Sequence, residues 1–212
     1  EEVIPLDLKS GTPKLVVEAA LTWKKGTNGS VQKIKLSTTT DFYSDTPKFV
    51  KGATVFVQNS ANQSFTFVEV PNTGEYKCSN FIPVIGDTYR LSIRYNGNTY
   101  TAQEVLQPVA TIMKVEQNNN GGFGGKNIEL KAHYIDPSDV KNYYLYRYTY
   151  SSQVISNFYT DEDVFYNGNE FFSISQNDKI KSGDKVEINH YGISRTYFNY
   201  MSVLVSIAGN GG

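Results

Sequence analysis

The chain of 212 residues is long enough for one large β domain or for two sandwiches of about 100 residues each. Lys and Arg number 20 against 21 Asp and Glu, so a net charge of −1 offers no long-range field for phosphate backbones or anionic lipid and argues against a nucleic-acid partner. A single cysteine, Cys78, excludes an internal disulfide and any multi-cysteine metal site, and no run of about 18 apolar residues could span a bilayer as a helix. The aromatic content, 16 Tyr and 12 Phe beside one Trp, favours strands.

In chain order, residues 14–23 alternate, with Leu15, Val17, Ala19, Leu21 and Trp23 on one face. Residues 31–38 repeat the pattern with Ile34 and Leu36 facing inward, and Gly26, Asn28 and Gly29 between the two segments predict a hairpin. Further strand patterns follow at Ala53, Val55 and Val57, at Phe65 and Phe67, at Tyr76 and Cys78, and at Tyr89, Leu91, Ile93 and Tyr95. Asn96-Gly97 is the strongest local signal, because both central positions of a type I′ turn need positive φ. A strand every 8 to 12 residues or so is the spacing of a sandwich.

Pro108 marks a joint, which gives two expected domains, 1–108 and 109–212. In the second, residues 111–116 read as a strand and 117–126, with three Asn and four Gly, as a long exposed loop. Strands are predicted over 127–134, 142–150, 170–175 and 185–190. A helix is predicted over 195–207, because Tyr197, Tyr200 or Met201, Leu204 and Ala208 lie three or four apart behind Ser194 as a cap; Gly209, Gly211 and Gly212 follow. The expected fold is all-β: two β-sandwich-like domains and one short helix near the C-terminus.

Candidate chemistry is sparse, and the expectation is a chain without enzymatic activity or a required cofactor. His133 and His190 both sit in strand patterns with no second ligand at a metal spacing, so each reads as an ordinary strand histidine. No Gly-x-Ser-x-Gly elbow is present, and Gly121-Gly122-Phe123-Gly124-Gly125 lacks the Lys-Ser/Thr ending of a phosphate loop. Asp161, Asp163, Asn167, Asn169 and Glu170 are the best calcium candidates, yet Phe165 and Tyr166 stand where an EF-hand needs Asp or Asn and then Gly, so a polar turn is the simpler reading. Asn28-Gly29-Ser30 and Asn62-Gln63-Ser64 match the N-glycosylation pattern, which would matter in a eukaryotic secreted protein and means little in a bacterial one. Cys78 alternates with Tyr76 and reads as a buried, inert thiol. Tyr144, Tyr146, Tyr148 and Tyr150 share one face of a strand; the favoured reading is core, and the alternative is an exposed aromatic ladder for a ligand or partner.

The order of several motifs resembles a known family. Pro13-Lys14-Leu15-Val16-Val17-Glu18, Ile34-Lys35-Leu36-Ser37-Thr38-Thr39, Val50-Lys51-Gly52-Ala53-Thr54-Val55, Gly74-Glu75-Tyr76, Gly86-Asp87-Thr88-Tyr89-Arg90-Leu91-Ser92-Ile93 and Tyr100-Thr101-Ala102 open the set. Asn142-Tyr143-Tyr144, Asp161-Glu162-Asp163 with Asn167-Gly168, and Gly183-Asp184-Lys185-Val186 extend it over nearly the whole chain. Together they resemble the Bacteroidetes outer-membrane lipoproteins of domain of unknown function 4249. That resemblance implies an exported lipoprotein at the outer membrane or cell surface, anchored by lipid just upstream of Glu1, with Glu1-Glu2 left behind a removed lipidated cysteine. It also implies a TonB-dependent outer-membrane receptor as partner and an accessory binding role in uptake; the rival expectation is a structural or adhesive sandwich protein. Family members usually continue past a glycine-rich stretch such as 209–212, so a C-terminal segment is expected to be missing. Gly52-Ala53-x-Val55 with Gly74-x-Tyr76 is similar to immunoglobulin- or transthyretin-like and carboxypeptidase-regulatory-like sandwiches, an expectation about the fold of 1–108 that carries no chemistry.

Overall fold

The computed structural model describes residues 11–41, 44, 46, 48–122, 124–175 and 177–209. The chain divides into two compact units, one ending at Leu106 and the other beginning at Gln107.

The first unit contains β1 (Leu15–Ala19), β2 (Gln32–Thr38), β3 (Lys48–Phe49), β4 (Thr54–Gln58), β5 (Ser64–Glu69), β6 (Glu75–Cys78), β7 (Thr88–Tyr95) and β8 (Asn98–Val105). Their hydrogen-bonded order is β1-β2-β6-β5-β4-β7-β8, with β3 beside β2 and every pair antiparallel. β5 pairs with β4 through Ser64 to Phe67 and with β6 through Val68 and Glu69, so one path of strands turns over on itself. The alternation explains what fills the fold: Ile34, Leu36, Val55, Val57, Phe65, Phe67, Tyr76, Cys78, Tyr89 and Ile93 form one buried cluster, with their neighbours along each strand turned outward. The hydroxyl of Tyr76 donates to the Val50 carbonyl and accepts the Ala53 N–H, both at 3.1 Å, so this buried ring leaves no polar atom unmet. Cys78 is buried and its thiol lies 3.1 Å from Asn80 Oδ1. Asn96 and Gly97 take φ of 48° and 74° between β7 and β8, as an Asn-Gly turn requires.

β1 ends at Ala19, short of the expected residue 23. The Gln32 carboxamide holds the backbone of Thr22 in a two-way pair, and Trp23 leaves the strand to donate Nε1–H to the Thr27 carbonyl at 2.8 Å, half exposed over the turn.

The second unit contains β9 (Lys114–Gly121), β10 (Asn127–Ile135), β11 (Tyr143–Tyr150), β12 (Asn157–Glu162), a 3-10 turn over Asp163–Phe165, β13 (Glu170–Ile174), β14 (Val186–Gly192) and α1 (Arg195–Gly209). Two three-stranded antiparallel sheets, β13-β10-β9 and β12-β11-β14, contribute to one buried cluster and therefore face each other. α1 lies on the outer side of the second sheet: Phe198 packs on Tyr143 with ring centroids 5.2 Å apart, and Ser202 bonds Thr160 at 3.0 Å. Ser194 caps the helix by accepting the Tyr197 N–H at 3.1 Å.

The expected loop 117–126 is a correction. Residues 117–121 continue β9, with Leu130↔Gln117, Glu129↔Asn118 and Asn127↔Gly121 in register and a bulge between Asn127 and Glu129. Side chains there are polar on both faces, so periodicity carries no strand signal, yet the backbone of β10 supplies the pairing. Phe123, Glu1, Glu2, Gly211 and Gly212 lie outside the described residues.

Candidate functional site

Tyr144, Tyr146, Tyr148 and Tyr150 all point between the two sheets of the second unit and are 0–2% exposed, so the row is core and not an exposed ladder. Each hydroxyl crosses the sandwich. Tyr144 donates to Asp136 Oδ1, Tyr146 pairs with Tyr134 of β10 at 2.6 Å, Tyr148 pairs with Ser173 of β13, and Tyr150 bonds Ser175 at 3.1 Å. Tyr134 also bonds Tyr166 at 3.2 Å, and Tyr166 stacks on Phe171 with centroids 3.7 Å apart. Burial pushes the Tyr134 and Tyr148 phenols up to about 12 and those of Tyr144, Tyr146 and Tyr166 higher still. These groups stay neutral and act as paired hydrogen-bonding groups between sheets, not as acids or bases.

His190 sits opposite Tyr146 on β14. Its ring lies 4.6–4.7 Å from the rings of Tyr134, Tyr144 and Tyr146, and its two nitrogens are shut off from solvent without a well-formed partner. That burial pulls its pKa down to about 3, against a smaller opposing effect of the Ala110 backbone. A neutral imidazole held among tyrosine rings is a packing group.

The calcium candidates do not converge. Asp161 lies on the inner face of β12 opposite Tyr144, and burial raises its carboxyl above the usual range. Asp163 is buried and its Oδ2 accepts the Asn142 N–H at 2.7 Å, while Asn167 contributes its N–H to the Asp163 carbonyl at 2.9 Å. Glu170 turns to the opposite face of its sheet, toward His133. Among the described residues no group of three acidic, His or Cys side chains is placed to hold a metal. Asp163 instead ties the turn 163–169 to Asn142, just ahead of β11.

His133, read from sequence as an ordinary strand residue, is the centre of a charged clasp on the outer face of β9, β10 and β13. Its Nδ1 lies 3.0 Å from Glu170 Oε1 and its Nε2 3.1 Å from Glu116 Oε2. Lys114 joins the two carboxylates at 2.8 Å from Glu116 and 3.9 Å from Glu170, and chiefly through its hydrogen bond it holds the Glu116 carboxyl below its ordinary range. Sequence spacing could not announce this, since the members of the clasp come from three strands.

The feature best suited to hold a ligand is a cleft of about 480 Å³ within the second unit. It opens where the outer strands β9 and β14 of the two sheets run along the same side. Val115 and Ile128 line one wall, Val186 and Ile188 the other, and Leu130 and Ile180 close the floor against the tyrosine core. Gln117, Lys181, Ser182 and Asp184 form the rim. Its volume is that of a small-molecule site, although the cleft is half open and its polar rim exposes as much surface as its aliphatic walls. Alternation foretells that these aliphatic residues face inward, but not that Val115, 52% exposed on that inner face, is left without a covering element.

A family model described as "Domain of unknown function (DUF4249)" matches residues 1–212. No curated protein matches the chain. Among solved structures, a segment of two fibronectin type III domains from chicken tenascin aligns over 85% of this chain and 90% of that one, at 10% identity and a TM-score of 0.28, a likeness too slight to argue from.

Proposed function

The chain belongs to the family described as domain of unknown function (DUF4249), and from that premise we propose that it is a non-catalytic, lipid-anchored binding protein of the bacterial cell surface, accessory to a TonB-dependent uptake receptor. The observation that carries a binding role is the aliphatic cleft between β9 and β14, an inner-face opening with a polar rim. The envelope setting is supported by the resemblance to exported lipoproteins of the outer membrane; separately, Gly52-Ala53-x-Val55 and Gly74-x-Tyr76 suggest a transthyretin- or carboxypeptidase-regulatory-like character for the first unit. The polar groups of the tyrosine core are paired between sheets and unavailable for chemistry, which fits binding better than turnover.

The test is capture of the epitope-tagged native lipoprotein from detergent-solubilised outer membranes, followed by mass spectrometry. A TonB-dependent receptor recovered in stoichiometric amount is the expected result. Recovery of stalk or pilin subunits in its place would move the protein to the structural or adhesive class.

A further inference from the structure

We propose that the cleft of the second unit takes a single-chain aliphatic carboxylate, its chain lying between β9 and β14 and its head at Lys181; this deepens the binding role proposed above and rests on it. Three observations carry the chemistry. The first is a contrast within one unit: its closed core is built of tyrosines whose hydroxyls are matched across the sheets, whereas the cleft walls are Val115, Ile128, Val186 and Ile188, without a hydroxyl or an aromatic ring. A ligand with polar groups along its length would strand them against these walls, and an alkyl chain would not.

The second is geometric. Val115 belongs to the inner face through its pairing with Ala132, yet it is half exposed, and Ile128 and Ile188 are only partly covered. The uncovered surface is a slot between two strand edges, which suits a chain better than a ring system.

The third is charge. Lys181 lies on the rim, and among the described residues no carboxylate stands within ion-pair distance of its ammonium. Its neighbour Asp184 is largely engaged elsewhere: the carboxylate accepts the Lys181 N–H at 2.9 Å and the Ser152 hydroxyl at 2.8 Å, which, with a smaller attraction from the Lys181 ammonium, hold its carboxyl below the ordinary range. Exposed Lys179 and Lys185 join Lys181 on the same stretch against Asp178 and Asp184, three cations to two carboxylates. An anionic head is therefore favoured at the mouth.

The experiment uses the 212-residue chain and three probes of equal length, decanoate, decanol and decylammonium, followed by amide chemical shifts. Decanoate is expected to shift Ile128, Leu130, Ile180 and Val186 saturably. Val115→Trp, at a position exposed enough to accept the larger ring, should abolish the shifts while leaving the first unit's spectrum unchanged. Lys181→Glu should weaken decanoate about ten-fold and leave decanol as it was. Absence of saturable shifts in the cleft, binding that survives Val115→Trp, or decylammonium binding as tightly as decanoate would each overturn the proposal. A receptor recovered in the detergent capture while decanoate leaves the cleft untouched defeats this ligand alone; decanoate binding with no receptor recovered defeats the uptake role alone.

Discussion

Burying a tyrosine is favourable only if its hydroxyl finds a partner, and in the second unit four consecutive inward tyrosines of β11 each do so across the sandwich. Tyr148→Ala should therefore cost about 3–5 kcal/mol, a shift of several degrees or more in the melting temperature of its unit; Tyr148→Phe keeps the ring but strands the Ser173 hydroxyl and should cost about 1–3 kcal/mol. Denaturant titration of both variants checks the order. His190, neutral at a pKa of about 3 among these rings, makes stability depend on pH. Because the unfolded chain takes up a proton near pH 6.5 that the folded chain refuses, the contribution is complete above that pH and is lost as pH falls toward 3. Relative to His190→Phe, the wild-type chain should lose about 2 kcal/mol between pH 7 and pH 5, and parallel pH profiles would refute the assignment. Asp161, whose burial raises its carboxyl, acts with the opposite sign lower in the acid range, and it is common to both proteins compared. Gly192 is constrained by space, not by φ: a Cβ there would fall 1.7 Å from the Pro108 carbonyl oxygen, so Gly192→Ala should destabilise the second unit by more than about 3 kcal/mol, read by thermal unfolding.

The elements divide by how much of their packing is written in their own residues. β2, β5 and β6 alternate because one face is core, and the Asn96-Gly97 turn and the Ser194 cap are local chemistry, so all of these are legible from the chain alone. The second half of β9 and all of β12 are not: both are outer strands of three-stranded sheets, and Asn118 to Asn120 or Asn157 to Glu162 show no apolar period for a reader to find. What makes them strands is a neighbour's backbone. α1 combines both sources of order, since it is capped locally and rests on the sheet through Phe198 against Tyr143 and Ser202 against Thr160. Ser194→Ala should accordingly cost about 1 kcal/mol and act on the helix first. Hydrogen exchange of amides 197–200 should quicken several-fold while those of β11 stay as they were; equal acceleration in both would mean that the helix is not a separate opening unit.

At the scale of the whole molecule, each unit carries its own buried cluster, and the two are chemically unlike. Among the described residues the first is built mainly from Ile, Leu, Val and Phe, with Tyr76 and Tyr89 as its buried phenols, whereas the second is mostly tyrosine. Aliphatic packing depends on volume alone, but the tyrosine seam also depends on the match of each hydroxyl across the sheets, so the second unit tolerates less displacement of one sheet against the other. The cleft fits this division of labour. It lies at the edge of the seam, where tyrosines give way to aliphatic residues that need no hydrogen-bond register, and a ligand can enter there without breaking a matched pair. Separate cores also predict separate responses. Leu36→Ala, which removes a fully buried side chain from the first cluster, and Tyr148→Ala, which removes one from the second, should each cost several kcal/mol in its own unit and leave the other's core amides with unchanged exchange rates. Residue-resolved hydrogen exchange on the two variants decides it: if Leu36→Ala speeds exchange throughout β11 as much as in β2, the units unfold as one, and the division at Leu106 is one of shape and not of stability.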